Sequence, residues 1–309
     1  MENKYHAPVM LQECLNGLSI QQDGIYVDVT FGGGGHSKAI LNELGKKGKL
    51  VAFDQDEDAK NNLPQDERLI FIDQNFEFME NHLLYQNCIP VQGILADLGV
   101  SSHQFDEAGR GFSFRFDEAE LDMRMNAQTG MNAADILNDY TEENLANLLY
   151  LYGELKNSRA LASAIVAYRS QQAITKVVHI KEALKRYTPK FGDYKFFAQV
   201  FQALRIEVNR EMEVLKSFLE QSAKVLAPGG KLVVMSYHSL EDRLVKNFMA
   251  TGNFAGEANK DFYGNLIRPF EQQNRKVITA SDEELKRNPR SRSAKLRIAE
   301  KALVQKKDE

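Results

Sequence analysis

The stretch Val27-Asp28-Val29-Thr30-Phe31-Gly32-Gly33-Gly34-Gly35-His36 limits this chain's folds more than any other. An apolar, β-branched run enters an acid, four glycines follow at once, and Ser37-Lys38-Ala39-Ile40-Leu41 then suits a helix. The order is strand, tight turn, helix. Glycine belongs where backbone turns with positive φ or approaches a ligand too closely for a Cβ. A helix N-terminus behind such a turn offers free N–H groups to a polar ligand. Three readings compete: a nucleotide-type cofactor loop, a phosphate-gripping P-loop and a flexible linker. No Gly-Lys-Ser/Thr closes the run, so the P-loop lacks support. The strand ending in Asp28 argues against the linker, because linkers are not usually fused to buried strands. The dinucleotide pattern G-x-G-x-x-G fails too, since its last place falls on Ser37 or Lys38. A cofactor with an adenosine and no pyrophosphate fits better, and S-adenosylmethionine is the obvious candidate.

Further strands end on the same kind of residue. Lys49–Phe53 runs into Asp54, placed to accept hydrogen bonds from ribose hydroxyls. Arg68–Ile72 leads to Phe76, an aromatic that could cover an adenine or belong to the core. Gly93–Ala96 runs into Asp97 and the loop Leu98-Gly99-Val100-Ser101-Ser102-His103-Gln104. In open α/β sheets ligands bind beyond the carboxyl ends of the strands, so Asp28, Asp54 and Asp97 project to one rim. A fifth strand, Lys231–Ser236, follows the stop Ala227-Pro228-Gly229-Gly230 and delivers Tyr237-His238-Ser239 to that rim. Weak strands are expected at 276–279 and 295–299.

Between Leu98 and Lys231 there is no strand signal. The periodicity is helical, with Leu145, Leu148, Leu149 and Tyr152 on one face and Leu161, Ile165 and Tyr168 on another. The expected organisation is α/β: a Rossmann-like sheet built from residues 1–105 and 201–309, interrupted by an all-helical insertion at 106–200. One long helix is expected from Phe196 to Lys224. The insertion opens with Arg110-Gly111-Phe112-Ser113-Phe114 and continues with Leu121-Asp122-Met123-Arg124-Met125, an alternation of cations and rings that suits an unpaired nucleic-acid strand or an ordinary core.

At 309 residues, 43% hydrophobic and 27% charged, the chain has the composition of a soluble globular protein. No apolar run approaches the ~20 residues that span a bilayer, and Met1–His6 lacks the basic start and apolar core of a signal peptide, so a cytoplasmic location is the default. Cys14 and Cys88 form no C-x-x-C pair, which disfavours a zinc site or a disulfide scaffold. The net charge is −4, yet nine Lys or Arg stand against one acid between Lys286 and Lys307. Asn288-Pro289-Arg290-Ser291-Arg292-Ser293 could grip phosphates or lie in a solvated tail.

Taken together, these blocks resemble the bacterial methyltransferase family that modifies the N4 amino group of a cytidine in small-subunit ribosomal RNA. The resemblance spans nearly the whole chain, from Tyr5–Leu11 through Phe31–Ser37, Asp97–Ser102, Arg110–Phe114, Leu121–Met125, Phe201–Asn209 and Ser236–Arg243 to Asn288–Ser293. It implies a class I methyltransferase domain with a helical insertion, acting on 16S rRNA near the decoding centre. It implies S-adenosylmethionine contacts at Gly34, Gly35, His36, Asp54, Phe76, Asp97 and Gln104, with Asp28 in the same site. His103 and the stretch Asp193–Phe197 depart from the family pattern. The assembled small subunit is the expected substrate, a homodimer is compatible with the sequence, and membrane is not an expected partner.

The chemistry then narrows the catalytic candidates. The amino nitrogen of cytosine is a poor nucleophile, so an acceptor for one of its hydrogens must turn the lone pair toward the methyl carbon. Asp97 is the first choice, with Ser101, Ser102 or a backbone carbonyl of that loop as its partner, and His238 the second; His238 could equally be a helix-start residue bonded locally, with Ser239 the cap. No metal is needed for this reaction. Arg110, Phe112, Phe114, Arg124, Arg290 and Arg292 are the expected RNA contacts. Two other functions stay open: a same-fold methyltransferase acting on a protein or small molecule, and a non-catalytic RNA-binding factor.

Overall fold

The computed structural model describes residues 8–100, 105, 107–274 and 276–303. The apolar runs become strands β1 (Ile25–Asp28), β2 (Lys49–Phe53), β3 (Leu69–Ile72), β4 (Val91–Asp97), β5 (Leu226–Ser236), β6 (Phe270–Gln272) and β7 (Lys295–Lys301). They form one sheet in the order β3-β2-β1-β4-β5-β7-β6. The first five are parallel, while β7 runs antiparallel to both β5 and β6. Strands covered on both faces read as continuous apolar runs because neither side meets water. Alternate residues feed two cores. Tyr26, Leu50, Leu95 and Val233 pack with α1 (Leu11–Leu18) and α2 (Gly35–Glu43). Val27, Val51, Ile94 and Val234 pack with α3 (Met79–Tyr85) and with Leu215, Phe218, Val245 and Phe248 on the other side.

The chain separates into two compact units, one comprising residues 1–99 and 214–309 and the other 100–213. The second unit holds helices α4 (Ala133–Asp139), α5 (Glu142–Leu151), α6 (Ser158–Arg169), α7 (Val177–Leu184) and α8 (Asp193–Val208). Their starts are chemically marked. Asn132 and Asp135 close a reciprocal capping box on α4, and the Thr141 hydroxyl accepts the Asn144 N–H at the start of α5. The helical stripes read from sequence are buried here: Leu145, Leu148, Leu149, Leu161 and Ile165 lie in one apolar cluster.

Two sequence expectations change. The single helix from Phe196 to Lys224 is two helices, α8 and α9 (Glu211–Val225), broken at Arg210, whose φ of 50° is left-handed. The apolar stripe explains the break. Val200 and Leu204 belong to the helical cluster, whereas Leu215 and Leu219 belong to the sheet's, so the two halves of the stretch pack in different cores. The second unit accordingly extends to residue 213, beyond the expected edge at 200. Near the C-terminus, residues 276–279 contribute only the Ile278–Leu296 bridge, while β6 arises where no strand was expected. Among the described residues no helix is long and apolar enough to cross a membrane.

Candidate active site

The order reverses at β1, with β2 on one side and β4 on the other, and a crevice opens beyond the strand ends at such a switch point. The loop after β1 enters it. Asp28 is 1% exposed and fastens both ends of that loop. Its Oδ1 accepts the Thr30 N–H at 3.1 Å and its Oδ2 accepts the Ser37 hydroxyl at 2.6 Å. Burial raises its pKa, and the Ser37 hydrogen bond opposes that rise. Through these two bonds Asp28 shapes the loop.

The glycines answer to the protein's own packing. Gly34 sits at φ 72°, and a Cβ there would fall 2.9 Å from the Phe31 ring. A Cβ on Gly35 would press on Pro8 at 3.1 Å. The loop therefore lies between the Phe31 ring and the entering N-terminal segment. His36, second residue of α2, ties that segment down, with Nε2 3.1 Å from the Val9 carbonyl oxygen. A carbonyl only accepts, so Nε2 carries the proton.

Asp54 follows β2 and is partly exposed. Its Oδ2 accepts the Gly32 N–H at 2.7 Å and its Oδ1 the Asp56 N–H at 2.9 Å. Burial pushes it up to about 6 against those hydrogen bonds. Phe76 is half-buried, edge-on to Phe218 at 5.5 Å, just past the end of β3.

Asp97 closes β4, and its side chain accepts one hydrogen bond where Asp28 and Asp54 use both oxygens. Its backbone N–H donates to the Thr30 hydroxyl at 2.7 Å, its Oδ1 accepts the Tyr237 hydroxyl at 2.7 Å, and its Oδ2 lies 3.8 Å from His36 Nδ1. Burial pushes the Asp97 carboxyl up to about 6, while His36 and Tyr237 pull it back. Thr30 and Ser37, unremarked in the sequence, join Asp28 to Asp97 and to α2. Hydroxyl residues beside a glycine run were the available signal.

His238 is the N-cap of α10 (Ser239–Thr251), so Ser239 is the first helical residue and not the cap. The His238 ring faces its own helix: Nδ1 accepts the Glu241 N–H at 3.4 Å, and Nε2 lies 3.1 Å from Glu241 Oε1 without the alignment of a hydrogen bond. Glu241 Oε2 returns to the Tyr237 and His238 N–H groups at 2.9 and 3.3 Å. The local reading of His238 is the one its contacts favour. Asp242, in the same turn, accepts Arg297 Nε at 2.7 Å and so holds α10 against β7.

The expected RNA contacts divide. Phe112 is 4% exposed within the helical core. Phe114 packs edge-on against Tyr194 and Phe201. Arg110 donates to the Arg124 and Met125 carbonyls, and Arg124 holds Asp122 with two bonds of 2.8 Å. All four residues build the helical unit. Arg290 and Arg292 lie exposed on the single turn Pro289–Ser293, which is anchored by buried Asn288 and Ser291. Ser101 and Gln104 lie outside the described residues.

A parallel switch-point sheet with an antiparallel β7, a glycine cradle and strand-end acids defines a class I, Rossmann-like methyltransferase domain. Residues 3–302 match the model of the MraW methylase family. The chain belongs to that family. It is 59% identical over 305 residues to the ribosomal RNA small subunit methyltransferase H of Parabacteroides distasonis, covering 97% of this chain and all of that one. It is 56% identical to the protein of the same name from Flavobacterium johnsoniae over 298 residues, covering 96% and 98% of the two chains. Among solved structures, an rRNA methylase from Streptococcus thermophilus overlays with a TM-score of 0.40 at 14% identity, over 95% of each chain. That overlay is too loose to carry an argument; the strand order carries the fold.

Proposed function

We propose that this methylase transfers a methyl group from S-adenosylmethionine to the N4 amino group of a cytidine in 16S ribosomal RNA, with the assembled small subunit as substrate. The observation that carries the chemistry is the Asp97 carboxylate, partly open at the end of β4, with Oδ1 bonded to Tyr237 and Oδ2 3.8 Å from His36 Nδ1. The substrate class is taken from relatives aligned over nearly the whole chain.

The residues present fit the cofactor. Asp54 and Asp97 are acids pushed up to about 6 by burial, so both sites favour a partner that donates hydrogen bonds or brings positive charge. S-adenosylmethionine has a ribose diol for the first and a cationic sulfonium and ammonium for the second. When bound, it supplies an electrophilic methyl group. Asp54, its two oxygens aimed by backbone N–H groups, accepts the ribose hydroxyls; Gly34, Gly35 and His36 form the cradle floor; half-buried Phe76 covers the adenine. Asp97 would accept a hydrogen bond from one N4 hydrogen, which leaves the nitrogen lone pair free for the methyl carbon; as the N–C bond forms and the S–C bond breaks to leave a neutral thioether, the same carboxylate would take the proton that the cationic nitrogen must lose. Most of the acceleration is then positioning. His238, held by Glu241, is the second candidate at the rim, and Ser101 a further one. The target base must leave its stack to reach the rim, and Arg290 and Arg292 hold flanking phosphates. The reading places the protein in the cytoplasm, with its substrate.

Labelled S-adenosylmethionine and small subunits lacking the modification test this. Label recovered as N4-methylcytidine is the expected result. Label on another nucleoside sinks the substrate assignment and leaves the fold. Equal activity on naked RNA removes the requirement for the assembled subunit.

A further inference from the structure

We propose that Tyr237 is a positioning residue of the methyl-transfer site: its hydroxyl fixes the Asp97 side chain and leaves Oδ2, on the His36 side, as the oxygen available to the reactants. The inference rests on the reading of Asp97 given above. Two independent features place the ring. Its hydroxyl donates to Asp97 Oδ1 at 2.7 Å, across 140 residues of sequence. Its ring lies beside Gly99, where φ is 103° and a Cβ would fall 3.3 Å from the ring. A glycine just beyond Asp97 thus makes the seat from which the hydroxyl reaches back. The backbone N–H of Tyr237 is held in turn by Glu241 Oε2 at 2.9 Å. The ring is therefore seated on one side, tethered through its own backbone on another, and bonded at its tip.

An aspartate with a free χ1 would spread its two oxygens over several directions. With Oδ1 held by the Tyr237 hydroxyl, Oδ2 is the less engaged acceptor, and it lies 3.8 Å from His36 Nδ1. Charge acts in the same direction. Asp97 is faced by His36 from α2, by Tyr237 and Glu241 from the end of β5 and the first turn of α10, by Asp28 from β1 and by Cys14 from α1. The acids Asp28 and Glu241 disfavour its ionised form, while His36 and the Tyr237 hydrogen bond favour it. Removing the hydroxyl therefore makes the carboxylate harder to ionise as well as less well aimed.

The test is Tyr237→Phe in the full chain. Methyl transfer to small subunits and S-adenosylmethionine binding by calorimetry are both followed from pH 5.5 to 9, with thermal unfolding at each pH. The expected result is a kcat lowered about fivefold at pH 7 with the KM for subunits within about twofold. The acid limbs of kcat and of cofactor binding move up by about one pH unit. Profiles that superimpose on those of the unaltered protein overturn the proposal. Tyr237→Leu removes ring and hydroxyl together. A shifted limb in Tyr237→Leu, with none in Tyr237→Phe, assigns the effect to packing and also overturns it. If the unaltered protein methylates no rRNA, the functional reading fails, and the binding limb alone still decides the role of Tyr237.

Discussion

Asp28 and Asp97 end adjacent strands, yet they do different work because their oxygens meet different partners. Asp28 spends both on the loop it anchors. Asp97 spends one on Tyr237 and keeps the other at the rim. Sequence position told that both acids lie at strand ends; it could not tell which would turn inward, since that depends on hydroxyls at Thr30, Ser37 and Tyr237 that carry no pattern of their own. Asp97→Asn tests the division. Asparagine keeps an acceptor for Tyr237 but loses the charge, so methyl transfer falls by about 10²-fold or more. Stability moves the opposite way. The folded carboxyl titrates near 6, above its ordinary range, so the fold favours the protonated acid. Its contribution is full below about pH 4 and is lost as pH rises through about 6. The asparagine protein is therefore expected to melt a few degrees higher than the parent at pH 8 and at the same temperature near pH 4, read by calorimetry across pH. An unchanged difference at the two pH values excludes an Asp97 charge that strains the fold.

Elements were legible where one physical signal governed them. The parallel strands stood out as apolar runs ending on acids, and the helix after the glycines followed from its turn. Residues 196–224 misled because their periodicity is continuous while their partners are not: Val200 and Leu219 face separate cores. The strand β6, three residues at the sheet edge, has too little sequence to announce itself. The glycine-to-helix junction permits a sharp prediction. In Gly34→Ala the new methyl meets Phe31 at 2.9 Å and the backbone keeps a left-handed φ of 72°. The loop must shift, and the expected outcome is at least tenfold weaker S-adenosylmethionine binding by calorimetry together with a destabilisation of about 1–2 kcal/mol. Binding equal to that of the parent would show that the cradle tolerates rearrangement.

For the molecule as a whole, charge distribution carries the remaining predictions. A net −4 conceals the basic C-terminal stretch, from which Arg290 and Arg292 stand exposed. Replacing both by alanine is expected to weaken binding to small subunits and to flatten the slope of log affinity against log salt by about two, with cofactor affinity unchanged. A slope equal to the parent's removes these two arginines from the interface. Saturating S-adenosylmethionine or its demethylated product should raise the melting temperature, by about 2.7 kcal/mol of stability at a hundredfold excess over Kd. The interruption of the sheet between β4 and β5 was readable from the missing strand signal. Its edges were not, because contacts, and not periodicity, decide where α8 belongs.

The pairing of β4 with β5 has a consequence for how the protein is made. These strands are neighbours in the sheet, but residues 100–213 are synthesised between them. A chain emerging from the ribosome in order exposes β3-β2-β1-β4 with the β4 edge unpaired, then a contiguous helical unit, and only afterwards the strand that covers that edge. Tyr237 arrives with that strand, so a nascent chain stopped at residue 213 carries Asp97 without its clamp. The surroundings of Asp97 are thus completed late in translation, and the waiting β4 edge leaves a stalled or truncated product open to mispairing.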